Sequence, residues 1–107
     1  MNQKFSFLQD IPKSSTKEIF DTIIQNDNVK IERIVSYGQT TPKDFWYDQD
    51  EDEFVLVLDG IAKIQYQNSI TYTLNKGDSL YIPKHQKHQV VYTQNPTIWL
   101  AVFISSE

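Results

Sequence analysis

From position 29 onward the chain alternates apolar and polar residues with a period of two. Ile61 to Gln67 sets Ala62, Ile64 and Tyr66 against Ile61, Lys63, Gln65 and Gln67, the pattern of a strand with one buried face. The alternation resumes through Ile70, Tyr72 and Leu74 after an Asn68-Ser69 turn, and in shorter form at Ser79–Ile82 and Gln89–Thr93. Val29 to Tyr37 is rich in β-branched residues and also predicts a strand. Two stretches are apolar on both faces: Glu53 to Leu58, with Glu53, Val55 and Val57 opposite Phe54, Leu56 and Leu58, and Ile98 to Ile104. One face of each fills a core. The other needs cover from another element or a second subunit, so a homodimer is expected. The total is seven or eight short strands with turn residues every 8 to 12 positions, which predicts a sandwich or small barrel. No helices alternate with the strands, which excludes a parallel α/β sheet.

The N-terminal part differs. Fourteen irregular residues lead to Ser15-Thr16-Lys17-Glu18, which fits a capping box, and then to Ile19, Phe20, Ile23 and Ile24 at helical spacing. A short helix is predicted here, ended by Asn26-Asp27-Asn28 and lying on the outside of the sheet. The expected division is a lead-in and helix over 1–28 and a barrel over 29–107, one domain overall.

A chain of 107 residues can bury a core without staples, and there are no cysteines to make disulfides or thiolate ligands. The net charge is −4, with Arg33 the sole arginine, so the basic stripe that nucleic-acid binding needs is missing. The N-terminus lacks the apolar core of a secretory leader, and no apolar run approaches the roughly 20 residues that span a bilayer. A cytoplasmic protein without nucleic-acid or membrane partners is expected.

Candidate chemistry gathers where acids meet a strand. Asp48, Asp50, Glu51, Asp52 and Glu53 fall within six positions and run straight into the apolar strand that starts at Glu53. Crowded carboxylates repel one another unless water, a cation or shared protons relieve them. Glu53 shares a face with Val55 and Val57, so an inward carboxylate there needs a cation, a histidine or a backbone donor. His88 shares a face with Val90 and Tyr92 if its strand is regular, and His85 lies in the turn just before it. Asp48 and Asp50 have opposite strand parity to Glu53 and join it only if the chain turns or bulges between them. Trp46, within Phe45-Trp46-Tyr47, could close the mouth of a pocket. With no glycine-rich phosphate loop, nucleophile elbow or cysteine, covalent catalysis is not expected.

Two spacings resemble a known family. Glu53, six residues, Gly60 is similar to the end of the first cupin motif, and Gly77, five residues, Pro83, four residues, His88 is similar to the second. The resemblance spans about Ile31 to Phe103 and implies an all-β, double-sheet jelly-roll barrel. In metal-binding cupins two histidines one residue apart, the glutamate and the second motif's histidine hold a divalent cation. Glu53 and His88 match that pattern, but Trp46 and Asp48, or in a shorter register Tyr47 and Gln49, stand where the histidine pair would be. The resemblance implies a metal site of Asp48, Glu53 and His88 for manganese, iron or zinc, with Trp46, Asp50, His85 and Tyr92 beside it. The expected function is binding of a small molecule through that metal, with an oxygenase or an isomerase or lyase as the enzymatic form. The alternatives are a metal-free metabolite binder and a dimeric scaffold.

Overall fold

Each alternating stretch of the sequence is a strand. The structure, a computed structural model, describes residues 3–105. Residues 1–2 of the expected lead-in and 106–107 of the expected barrel lie outside the described residues. The strands are β1 (Ile19–Gln25), β2 (Val29–Ser36), β3 (Asp52–Asp59), β4 (Ala62–Tyr66), β5 (Thr71–Leu74), β6 (Ser79–Ile82), β7 (His88–Thr93) and β8 (Thr97–Ile104). They form a five-stranded sheet in the order β1-β2-β8-β3-β6 and a three-stranded sheet in the order β5-β4-β7, with antiparallel pairing throughout.

The segment expected to be a helix is β1. Ile19, Asp21 and Ile23 are half-buried while Phe20, Thr22 and Ile24 are exposed, a period of two. β-branched residues favour strands, and a helix of this length is marginal in water. The open edge of β2 therefore decides the outcome, pairing with β1 from Ile19↔Val35 to Gln25↔Lys30. The expected capping box is absent: Ser15 Oγ accepts from Lys17 N within a tight local turn, and Glu18 accepts from Ser36 Oγ instead. Asn26 joins β1 to β2 by accepting from the backbone N–H of Asn28 and Val29 at 2.8 and 2.9 Å.

The lead-in crosses the outer face of β2, where Arg33 anchors it. Its buried guanidinium donates to Asp21 at 2.8 and 3.1 Å and to the carbonyls of Phe7 and Gln9 at 3.1 and 2.8 Å. The Phe5 ring lies 4.8 Å from that group, and Tyr37 Oη donates to Pro12 O at 2.7 Å.

The inner face of the large sheet is layered by register. Across β3, β8 and β2 the lowest row is Val57, Trp99, Ile34; the middle row is Val55, Ala101, Glu32; the uppermost is Glu53, Phe103, Lys30. Ile64, Tyr66 and Leu74 of the small sheet pack with the apolar members of these rows. Ala101 is fully buried yet small, and so leaves room above the packed floor. On β7, Lys63 pairs with Tyr92 and Ile64 with Val90, so a bulge falls at Val91. The bulge turns the Tyr92 ring outward, 43 % exposed and within 5.8 Å of the Lys63 ammonium, away from the inner face where a regular strand would put it.

Gly60 and Gly77 both have a left-handed backbone, with φ of 95° and 89°. A Cβ on Gly60 would lie 2.7 Å from Pro96 O and 2.8 Å from Thr97 Cα, whereas one on Gly77 meets nothing within 4 Å. Gly77→Ala is expected to cost about 1–2 kcal/mol, the conformational penalty alone. Gly60→Ala adds a backbone clash and is expected to exceed that by about 1–3 kcal/mol. Urea denaturation of the two variants tests the difference, and equal losses would refute the steric account.

Candidate ligand-binding site

Strand parity sorts the acidic segment. Tyr47 pairs with His88 across an isolated bridge, its N–H donating to His88 O at 2.9 Å and its carbonyl accepting from His88 N at 3.1 Å. From there the odd-numbered Tyr47, Gln49, Glu51 and Glu53 border a cavity at the open end of the barrel. The even-numbered Asp48 and Asp50 lie outside and meet His85, with Asp48 Oδ1 2.8 Å from Nδ1 and Asp50 Oδ1 3.4 Å from Nε2. His85 N also donates to Gln49 O at 2.8 Å, and Lys84 N to Asp52 Oδ1 at 2.9 Å, so the turn after β6 straps the acidic segment in place. Of the residues singled out from the sequence, the structure brings Glu53 and His88 together. It places Asp48, Asp50 and His85 in a separate outer cluster, and Trp46 and Tyr92 do not border the cavity. Tyr47, whose ring stacks on the His88 imidazole at 5.5 Å and 28°, takes the position beside the histidine.

Glu53 and His88 are both buried, with side chains 11 % and 5 % exposed. The Nδ1–H of His88 donates to Gln86 O at 2.8 Å, which turns Nε2 toward Glu53 Oε1. The separation is 3.6 Å, just beyond ordinary hydrogen-bond distance. Oε1 has no hydrogen-bond partner, a condition that costs about 1–3 kcal/mol or more for a buried acceptor. Burial pushes the His88 pKa down, but the neighbouring Glu53 and the Gln86 carbonyl outweigh it and leave the imidazole above its ordinary value.

Glu32, which sequence reasoning missed, borders the same cavity from β2 and is 6 % exposed. Burial raises its carboxyl above the ordinary value; Lys30, with Nζ 3.9 Å away, opposes the rise, and Glu53 adds to it. Burial likewise raises the Tyr47 phenol, assisted by Glu18 and Glu53. A relay runs from Trp99 Nε1–H to Ser36 Oγ at 3.1 Å, and Ser36 donates to Glu18 at the cavity edge. One signal for Glu32 was available: Lys30, Glu32, Ile34 and Ser36 share a strand face, and a carboxylate between two β-branched runs has to face something polar.

The cavity measures about 510 Å³, within the range of small-molecule sites, with Trp99 and Phe103 in its walls. A cupin-type metal does not fit its donor set. Among the described residues no three His, Cys, Asp or Glu side chains gather closely enough to hold an ion. Tyr47 and Gln49 occupy the inward positions where the two histidines would be, which leaves only Glu53 and His88 against the three or more protein ligands that transition-metal sites use.

A family model described as "Cupin domain" matches residues 33–103. The chain belongs to the cupin family. A Ralstonia eutropha protein called a "putative mannose-6-phosphate isomerase" is 37 % identical, with a TM-score of 0.92 over 96 % of this chain and 98 % of its own. A Desulfitobacterium hafniense cupin superfamily protein has a TM-score of 0.82 at 18 % identity, covering 99 % of this chain and 94 % of its own. An RmlC-like cupin from Desulfovibrio desulfuricans has a TM-score of 0.74 at 14 % identity, covering 96 % and 97 %. Curated proteins give no match. The two sheets of this cupin are accordingly those of a jelly-roll barrel, and no helix among the described residues is long and apolar enough to cross a membrane.

The two raised pKa values carry the same sign: in each case the folded protein holds its proton more tightly than the unfolded chain, so stability is lost as pH rises. Folding favours protonated His88, so its contribution is complete below its unfolded value of about 6.5 and disappears as pH rises through the higher folded value. The stability gap between the wild type and His88→Gln is therefore expected to narrow from pH 6 to pH 9. Glu32 ionises at a cost in the folded state, so Glu32→Gln is expected to gain stability over the wild type as pH rises above about 4–5. Urea midpoints across this range test both, and a His88→Gln gap that widens with pH would refute the first.

Proposed function

We propose that this cupin binds a small organic molecule in the barrel mouth, anchored by Glu53 and His88 without a resident metal. The buried, unpartnered Oε1 of Glu53 carries the reading. A buried carboxylate oxygen without a donor is costly until one is supplied, and Glu53 is among the residues that border a cavity walled by aromatic rings. His88 stands next to it with Nε2 available either to give or to accept a proton. Binding alone requires only this pair. Isomerisation, the activity in the name of the Ralstonia relative, would, if it proceeds by moving a proton within a bound substrate, use the same imidazole as its carrier.

The family's association with manganese, iron or zinc is set against the donor set found here. The decisive experiment is elemental analysis of untagged protein combined with melting scans. Well under one metal per chain is expected, with no rise in melting temperature on adding manganese, iron(II) or zinc. An organic ligand at 100 times its Kd is expected to add about 2.7 kcal/mol of stability. About one metal per chain, lost in both Glu53→Ala and His88→Ala, would replace this reading with a metal-dependent one.

A further inference from the structure

We infer that the occupant of the cavity is a small organic cation, a protonated amine, and that phosphate esters and other anions are rejected. The inference rests on the binding role proposed above and concerns only the charge of the ligand. Four carboxylates border the cavity: Glu18, Glu32, Glu51 and Glu53. Among the described residues the permanent cation facing them is Lys30, and it is already engaged, with Nζ 3.9 Å from Glu32 and 4.9 Å from the centre of the Phe103 ring. The second observation is independent of the number of acids. Glu53 borders the cavity and is 9 % exposed, and its buried Oε1, 3.6 Å from His88 Nε2, has no hydrogen-bond donor. A phosphate or carboxylate brings only acceptors and negative charge to that oxygen, so it would leave Oε1 unsatisfied and add like-charge repulsion. A hydroxyl could donate one bond. An ammonium donates up to three and carries the opposite charge, which makes it the strongest partner for a carboxylate held away from water.

The walls suit the remainder of such a ligand. Trp99 and Phe103 give faces that attract both apolar groups and cations, and Tyr47, stacked on His88, closes one side. Gln49 and Glu51 stand toward the mouth on the segment strapped by His85, so an approaching cation meets negative charge before it reaches Glu53.

Calorimetric titration with two matched series tests the inference: glucosamine, glucose and glucose 6-phosphate, and cyclohexylamine, cyclohexanol and cyclohexyl phosphate. The titrations use the full chain at pH 7 and low salt with a chelator present, so that no metal can bridge. At least one amine is expected to bind tenfold or more tighter than its alcohol, with the matched phosphate ester weaker than either. Glu53→Gln, which keeps shape and removes charge, is expected to reduce that preference at least tenfold. Glu51→Gln, half-buried at the mouth and less exposed to a folding defect, is expected to reduce it by a smaller factor and to flatten its dependence on salt. An alcohol or phosphate ester binding as tightly as its amine, with loss in His88→Gln, would overturn the charge assignment while sustaining the cavity. Amine binding unchanged in both glutamate variants would place the amine elsewhere and overturn the inference. No binding by any of the six compounds would overturn the inference and the binding role together.

Discussion

A carboxylate without a donor, held next to an imidazole and away from water, is the constraint around which the barrel mouth is built. Glu53 cannot leave that position, because it opens the inner face of β3 and is paired in register with Phe103 on one side and Ile82 on the other. The sheet below it supplies the stability that tolerates such a group. The lowest row is fully apolar, Val57, Trp99 and Ile34, and the middle row begins the change with Glu32. Polar groups thus concentrate toward one end of a ladder whose backbone pairing is continuous. The packed floor gives way to charge at the row that contains Ala101 and Glu32.

The acidic segment before β3 is divided in two by strand geometry, and each half does different work. Asp48 and Asp50 hold His85 outside the barrel, while Tyr47, Gln49 and Glu51 face the cavity. The outer cluster is exposed, and its side-chain contacts contribute little stability individually. Their effect is positional: together with His85 N on Gln49 O, they fix the segment whose other face closes the site.

Much of the architecture was legible because a buried face imposes a period of two, and the turn residues punctuate it. Glu53 and His88 were legible for a further reason, since both lie at fixed spacings from glycines with a left-handed backbone. The helix expected over Ile19 to Ile24 failed on an ambiguity of spacing. Residues four apart share a face in either state, so Ile19 with Ile23 and Phe20 with Ile24 fit a strand as well as a helix, and only the free edge of β2 distinguishes them. Tyr92 was assigned inward from a regular strand, and a bulge at Val91 reversed it. Glu32 shares a strand face with Lys30, Ile34 and Ser36, a pattern legible in the sequence, but the cavity it borders forms only once β2 lies beside β8, a pairing between residues about 70 positions apart.

The register that puts Tyr47 and Gln49 inward also explains how a cupin can change its ligand set and keep its fold. The segment is secured by main-chain bonds, Tyr47 N to His88 O and His88 N to Tyr47 O, and by His85 N on Gln49 O. None of these bonds depends on what the side chains at 47 and 49 are. A histidine pair and a Tyr-Gln pair can therefore occupy the same backbone, one adding imidazole donors and the other a ring stacked on His88 and an amide. Chemistry at this mouth is free to vary where the fold does not need the side chains, and the pair beside which it varies, Glu53 and His88, sits near the starts of β3 and β7.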